Sequence, residues 1–309
     1  MKNEKIFITG GAGFLGKNLI KHYYNDNEIV IYSRDEAKHY YLKKQYPKIK
    51  TIIGDVRNLD LMLNSSKDCS IGIFAASLKQ IEAVDQNVEE SLQIIIQGAI
   101  NSRKICEKNN LKAGCFVSSD KSRSATTLYG SMKFVGGESF IVNAEKNKNY
   151  PNLSSVIYGN VLNSTGSIIP LIWDAIKNNY SLTLFSQEMT RFIIDIDSAV
   201  NVISHSLNHT GVNIIPELVS MRIFDLFEIY KEKFNLKYVL GSPRISEKIH
   251  EIMFSSEEAS RVKKYENYFH MHYSNIYGEY NTEYSSSQNI IDRSSLYKLL
   301  EQYNFFKPI

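Results

Sequence analysis

Cysteine, proline and long apolar runs are all scarce in this chain, and each scarcity narrows what it can be. Three cysteines, Cys69, Cys106 and Cys115, form an odd set without CxxC spacing, so reduced, buried thiols are expected. The longest apolar runs, such as IIPLIW from Ile168 to Trp173, fall far short of the roughly 18 residues a membrane helix needs. No Lys/Arg block marks a nucleic-acid arm. Net charge is only +3, and pairs such as Lys43-Lys44 and Lys263-Lys264 read as solvated faces. Nothing like a signal peptide precedes the opening run IFITGG, so a cytoplasmic address is expected. The few prolines, six in 309 residues, and the abundance of Asn, Lys, Ile and Tyr we attribute to an AT-rich genome.

What is present is an ordinary globular composition, 43% hydrophobic and 22% charged, too apolar for a disordered chain. The length suits one large α/β domain with an appended subdomain, or two domains. In the first half, short apolar runs alternate with longer amphipathic ones. KIFITG reads as a strand, GFLGKNLIKHYYN as a helix, EIVIYSR as a strand and DEAKHYYLKKQY as a helix. KIKTIIGDV and IGIFAAS are further strands, VEESLQIIIQGAINSRKICEKN is helical, and AGCFVSS is a fifth strand. This alternation predicts an α/β fold with a doubly wound parallel sheet, whose ligands sit outside the carboxyl ends of the strands. From about residue 160 the texture changes to loops and aromatics, which we read as a substrate-binding subdomain. Arg191 to Leu207 is expected to return to the main body as a strand and helix, and Tyr265 to Ser287 to be loop.

TGGAGFLG, Thr9 to Gly16, closes the first strand and opens a helix. Gly10, Gly13 and Gly16 suit a tight turn, backbone approach to a pyrophosphate and close helix–strand packing, with Phe14 and Leu15 between them. A dinucleotide site of Rossmann type is therefore expected. At the end of the second strand Ser33, Arg34 and Lys38 stand where NAD-binding proteins place an acid. A hydroxyl and two cations suit a 2'-phosphate, so NADP is the expected cofactor. Asp55 and Val56 are placed to meet the adenine, and Ala75 and Ala76 give the small side chains needed beside the pyrophosphate.

VSSDKSRSATTLYGSMK, Val117 to Lys133, follows the fifth strand. Tyr129 and Lys133, at i and i+4, share a helix face, where an ammonium would favour the phenolate and make Tyr129 a base for a sugar hydroxyl. With the glycine loop and Ser119, this pattern points to the extended short-chain dehydrogenase/reductase superfamily. Asp120 and Lys121 add an acid and a second amine, suited to proton chemistry on a neighbouring carbon; the alternative is a salt bridge in an exposed turn.

VSSDKS…LYGSMK resembles the STDKA…YGxxK segment of the inverting, 5-epimerising UDP-N-acetylglucosamine 4,6-dehydratases of polysaccharide and pseudaminic-acid biosynthesis. YSRDEAK, GDVRN, FAASLKQ (similar to HAALKQ), YGNVLNSTGSIIPL (similar to YGNVxxSRGSVIPL), EMTRF, SMRIFDL and RISEKIHE (similar to RPGEKxHE) follow in the same order. The resemblance spans nearly the whole chain. It implies a UDP-sugar substrate, most naturally UDP-N-acetylglucosamine, a recycled NADP and a homo-oligomer. It assigns Tyr129, with Lys133 and Ser119, to the 4-hydroxyl, Lys121 to the carbon-5 proton and Asp120 to the departing 6-hydroxyl. Retaining relatives carry Asp-Glu where this chain has Asp-Lys, so inversion at carbon 5 is implied. Lys79 and Asn160 would lie near sugar and diphosphate, Arg191 and Arg244 would grip phosphate or uracil, and Glu247 would accept from the ribose.

On this reading residues 1–159 form the NADP-binding Rossmann domain, with 190–210 returning to it, and residues 160–189 and 211–309 form the nucleotide-sugar-binding subdomain. His250 and Glu251 are read as structural, on a helix facing the core. His270 and His272 lack acidic partners and are not read as metal ligands. The chain departs from the family pattern at Ile95, where an Asn is usual, at Ile157 and Thr165, where Arg is usual, and in RISEK for RPGEK. These losses suggest a shifted sugar or phosphate pocket. A 4-epimerase or ketoreductase of the same superfamily, and a non-catalytic NADP-binding sensor, are the alternative readings.

Overall fold

A computed structural model describes residues 1–142, 144, 150–242 and 246–308. The first half builds β1 (Lys5–Thr9), α1 (Phe14–Tyr23), β2 (Glu28–Ser33), α2 (Glu36–Gln45), β3 (Lys50–Ile53), α3 (Leu59–Ser65) and β4 (Ile71–Phe74). It continues with α4 (Ile81–Gln86), α5 (Val88–Leu92), a π-helical turn at Gln93–Gln97, α6 (Gly98–Lys108) and β5 (Ala113–Val117). A 3-10 turn at Asp120–Ser122, α7 (Leu128–Ile141) and β6 (Asn152–Val156) complete it. Short polar side chains start the helices where the sequence leaves a strand. Asp35 accepts from Lys38 N, Asn58 from Leu61 N and Thr127 from Gly130 N, each satisfying an amide the helix cannot.

The second half supplies β7 (Asn160–Val161), α8 (Ile168–Asn178), β8 (Leu182–Leu184), β9 (Thr190–Ile194), α9 (Ile196–Ser206), β10 (Val212–Pro216) and β11 (Ser220–Arg222). After these come α10 (Ile223–Phe234), β12 (Tyr238–Leu240), β13 (Ile252–Phe254), α11 (Ser256–Ala259) and β14 (Val262–Tyr265). β15 (Tyr268–His272), β16 (Tyr284–Ser285) and α12 (Arg293–Gln302) end the chain.

Nine strands form the main sheet in the order β14-β15-β10-β6-β5-β4-β1-β2-β3. The run from β3 to β10 is parallel, and β15 and β14 add antiparallel strands at one edge. Because the chain winds one way from β1 to β3 and the other from β4 to β6, the strand order reverses between β1 and β4. Ligands of such sheets lie in the crevice this reversal opens. β1 is apolar along almost its whole length, with Ile6, Phe7 and Ile8 wholly buried between the helix layers; each contributes about 1.5–3 kcal/mol by leaving water.

A second core holds Leu162, Ile172, Phe227, Tyr230 and Leu300. It packs α8, α10 and α12 with the small sheet β11-β9-β7 and the β12-β8 pair. The boundary between the two bodies is more interleaved than the sequence reading drew it. β9, expected to return to the first body, pairs in the small sheet, whereas α9 does return and joins α1 through Tyr23 Oη and Ser204 Oγ, 2.5 Å apart. β10, β14 and β15, read as subdomain, extend the main sheet. Tyr265 to Ser287, read as loop, contains β15 and β16; Phe269, His270 and Met271 are all buried in β15, which pairs with β10 on one side and β14 on the other.

Candidate active site

The turn after β1 fits a diphosphate. Gly10 has a φ of +71°, and a Cβ there would lie 2.9 Å from the Ala76 amide nitrogen, because β4 and its successor residues press against it across the switch point. Ala75 and Ala76 wall the glycine turn. Gly13 caps α1 without any side-chain bond, which leaves the amides of Phe14, Leu15 and Gly16 to an anion. Gly16 sits where a Cβ would be 2.4 Å from Gly11 O, so α1 can lie this close only with glycine there.

At the end of β2, Ser33 Oγ is 2.6 Å from His39 Nε2, and exposed Arg34 reaches to 3.8 Å from Asp55. Asp55 is gripped by Arg57 at 2.8 Å, a hydrogen bond that holds its carboxyl below the usual range. Lys38, in the first turn of α2, is paired at 2.6 Å with the N-cap residue Asp35. Val56 is buried against α6 near Gly98.

β5 delivers the candidate catalytic segment. Ser119 Oγ donates to Asp120 Oδ1 at 2.9 Å, and the same oxygen caps the 3-10 turn by accepting from Lys121 N. Asp120 is only 1% exposed, which rules out the exposed-turn salt bridge. Burial raises its pKa, and its Oδ2 is buried with no hydrogen-bond partner among the described residues. Lys121 Nζ lies 3.5 Å from Asp120 and 3.0 Å from Glu251. Burial disfavours its ammonium, but these two carboxylates outweigh that and hold its pKa above the usual lysine value.

Tyr129 and Lys133 stand on α7 as the spacing requires, both buried. Their electrostatics differ from expectation. Burial pushes the Tyr129 phenol up to about 12, and the nearby cation that favours its phenolate is Lys121. Lys133 donates to Val117 O at 2.8 Å, and burial pulls it down to about 7. Gly130 lets α7 approach the segment: a Cβ there would be 2.2 Å from Lys121 O. Arg123, 1% exposed, locks the segment from behind by pairing with Glu138 at 2.7 Å and Glu258 at 2.6 Å.

A cleft of about 160 Å³ lies over Lys121, Arg191, Glu247, Lys248 and Glu251. Arg191, on β9, reaches Glu247 at 3.3 Å and Glu251 at 3.7 Å. Asn160, on β7, pairs in register with Ile193 of β9. Lys79 donates to the Thr165 carbonyl and so ties the loop after β4 to the loop after β7. Arg244 lies outside the described residues.

Glu251 is the residue the sequence reading misplaced. It is not helical; it precedes β13, is 3% exposed, and meets Lys121, Arg191 and Lys248. A single carboxylate in the sequence gives no local signal of three cationic neighbours. Ile95 is likewise part of the site's wall. The π turn places it in a cluster with Tyr129, Met132 and Val84, and such turns recur at functional sites. Ile157 is wholly buried in the main core, and Thr165 is exposed in its loop.

Residues 6–273 match the polysaccharide biosynthesis protein family. A UDP-N-acetylglucosamine 4,6-dehydratase (inverting) from Campylobacter jejuni is 33% identical over 87% of this chain and 83% of its own. A UDP-glucose 4-epimerase from Rickettsia bellii is 30% identical over 86% and 82%. In fold, Pen from Bacillus thuringiensis superposes with a TM-score of 0.91 at 24% identity, covering 98% of this chain and 99% of that one. No described helix is long and apolar enough to cross a membrane. The chain belongs to the polysaccharide biosynthesis protein family, alongside the inverting UDP-N-acetylglucosamine 4,6-dehydratases.

Proposed function

We propose that the protein is a nucleotide-sugar 4,6-dehydratase that inverts carbon 5, acting on UDP-N-acetylglucosamine with a bound NADP. The observation that carries this reading is buried Asp120 paired at 3.5 Å with half-buried Lys121, which lines the cleft. Dehydrogenation and 4-epimerisation need only the Ser119, Tyr129 and Lys133 set. An acid and an amine beyond that set are suited to removing water across carbons 5 and 6.

When bound, NADP+ supplies a reversible hydride acceptor, so that carbon 4 is oxidised and carbon 6 reduced with no net redox change. Tyr129 takes the proton of the 4-hydroxyl, with Ser119 orienting it and the Lys121 charge favouring the phenolate. Once carbon 4 is a ketone, the carbon-5 proton is acidic and Lys121 removes it. Asp120, whose affinity for a proton burial raises, donates to the departing 6-hydroxyl. Returning a proton to the opposite face of carbon 5 inverts it. Lys121 rests as an ammonium held by Glu251 at 3.0 Å, so it must lose a proton before it acts as the base. Arg34, exposed at the end of β2, supports the 2'-phosphate of NADP, and Arg191, with Glu247 beside it, supports the uridine diphosphate.

Proton NMR in D2O of the purified protein with UDP-N-acetylglucosamine tests this. New 6-methyl signals, with deuterium at an inverted carbon 5, are expected. A spectrum unchanged even after NADP+ is added would sink the proposal for this substrate. A 4-epimerase is the second reading, supported by the likeness to the Rickettsia enzyme; it would yield UDP-N-acetylgalactosamine with no methyl signal and leave Lys121 dispensable.

A further inference from the structure

Away from the cleft, at the edge of the main sheet, three histidines from two distant segments meet. His205 lies in the last turn of α9, His209 just beyond that helix, and His270 in the middle of β15. Their potential ligand nitrogens all lie within 4.8 Å of one another, and His205 Nε2 is 3.0 Å from His270 Nε2. The ring centroids of His209 are 4.5 Å from those of both His205 and His270.

We propose that His205, His209 and His270 bind one divalent transition-metal ion of the zinc type, pinning the end of α9 to β15. A tetrahedral ion with Zn–N bonds of about 2.0–2.1 Å sets its ligand nitrogens about 3.4 Å apart. The 3.0 Å pair is already near that separation, and His209, whose nitrogen lies within 4.8 Å of both, has at most about 1.4 Å to close (4.8 − 3.4 Å). An i and i+4 pair at a helix end plus one strand residue supplies three nitrogens from a scaffold that is otherwise fixed. β15 is held on one side by β10 and on the other by β14, and Tyr268 stacks on the His205 ring at 4.2 Å and restricts its rotation. Three imidazoles with no carboxylate among them match a borderline-soft ion and not a hard one such as calcium or magnesium.

The ion would be structural in position. Its site lies on β15 and α9, which carry none of the residues we assign to the cleft, so metal loading and turnover are separable. Binding only to the folded chain stabilises it by mass action.

The test is calorimetric titration of the chelator-treated protein with zinc chloride, with cobalt chloride as a spectroscopic probe. One zinc per chain is expected, with a melting temperature raised by roughly 5 °C once the ion exceeds its dissociation constant about a hundredfold. Cobalt should give the intense visible bands of a four-coordinate ion. His209→Gln, at the partly exposed corner, should weaken zinc by about tenfold or more, since even outer-shell changes cost that much, while leaving turnover of the nucleotide sugar unchanged. His270→Gln should do the same; should it fail to fold, the His209 variant decides alone. Absence of zinc binding, a six-coordinate cobalt spectrum, or equal zinc affinity in wild type and His209→Gln would each overturn the site.

Discussion

The ammonium of Lys121 sits 3.0 Å from a carboxylate oxygen of Glu251, which in turn faces Arg191 at 3.7 Å. The amine proposed as base thus rests protonated, held by a residue from a segment far along the chain.

Replacing Glu251 by Gln removes one of the two carboxylates that keep Lys121 charged. The acid limb of the pH–rate profile for carbon-5 exchange should move to lower pH, since a base of lower pKa stays deprotonated further down. The rate at its optimum should fall, by about 10–100-fold, because Lys121 loses the ion pair that positions it. Lys121→Ala should abolish exchange. A lowered rate with an unmoved acid limb would reduce Glu251 to a packing role.

Arg34 is 60% exposed on its side chain, so its loss should not disturb folding. Arg34→Ala should raise the apparent dissociation constant for NADP+ by about tenfold or more, the worth of one charge-assisted phosphate contact, and leave that for NAD+ nearly unchanged. Fluorescence titration with both cofactors measures the split. Equal weakening of the two would remove Arg34 from 2'-phosphate recognition.

Gly130→Ala adds a methyl that would sit 2.2 Å from the Lys121 carbonyl. Backbone cannot yield as a flexible side chain can, so α7 and the Asp120–Ser122 turn must part. A loss of about 1–3 kcal/mol in urea unfolding is expected, together with reduced turnover, because Tyr129 and Lys121 are the residues driven apart.

Lys133 is 4% exposed, and its folded pKa of about 7 lies below the ordinary 10.5. The unfolded chain therefore binds more protons between pH 7 and 10.5, and this group's contribution to stability rises with pH across that window. Between pH 7 and pH 9 the cofactor-free wild type should gain on the order of 2 kcal/mol relative to Lys133→Met. Urea midpoints of both proteins at the two pH values check the sign; parallel pH dependences would mean that Lys133 is not desolvated as the fold shows it.

The sequence by itself determined the parallel sheet, its glycine turn and the Ser119-to-Lys133 segment. Those features are local: alternation of buried and exposed residues sets strands and helices, a glycine turn follows its strand directly, and an i, i+4 pair shares a helix face wherever the helix lies. Tertiary structure decided the rest. It alone brought Glu251 and Arg191 to Lys121, replaced Lys133 by Lys121 as the cation that favours the Tyr129 phenolate, and sent β10, β14 and β15 into the main sheet. It alone gathered His205, His209 and His270. Such meetings depend on which strand edge is left open for pairing and on which charges are buried together, and neither quantity is carried by residues near one another in the chain.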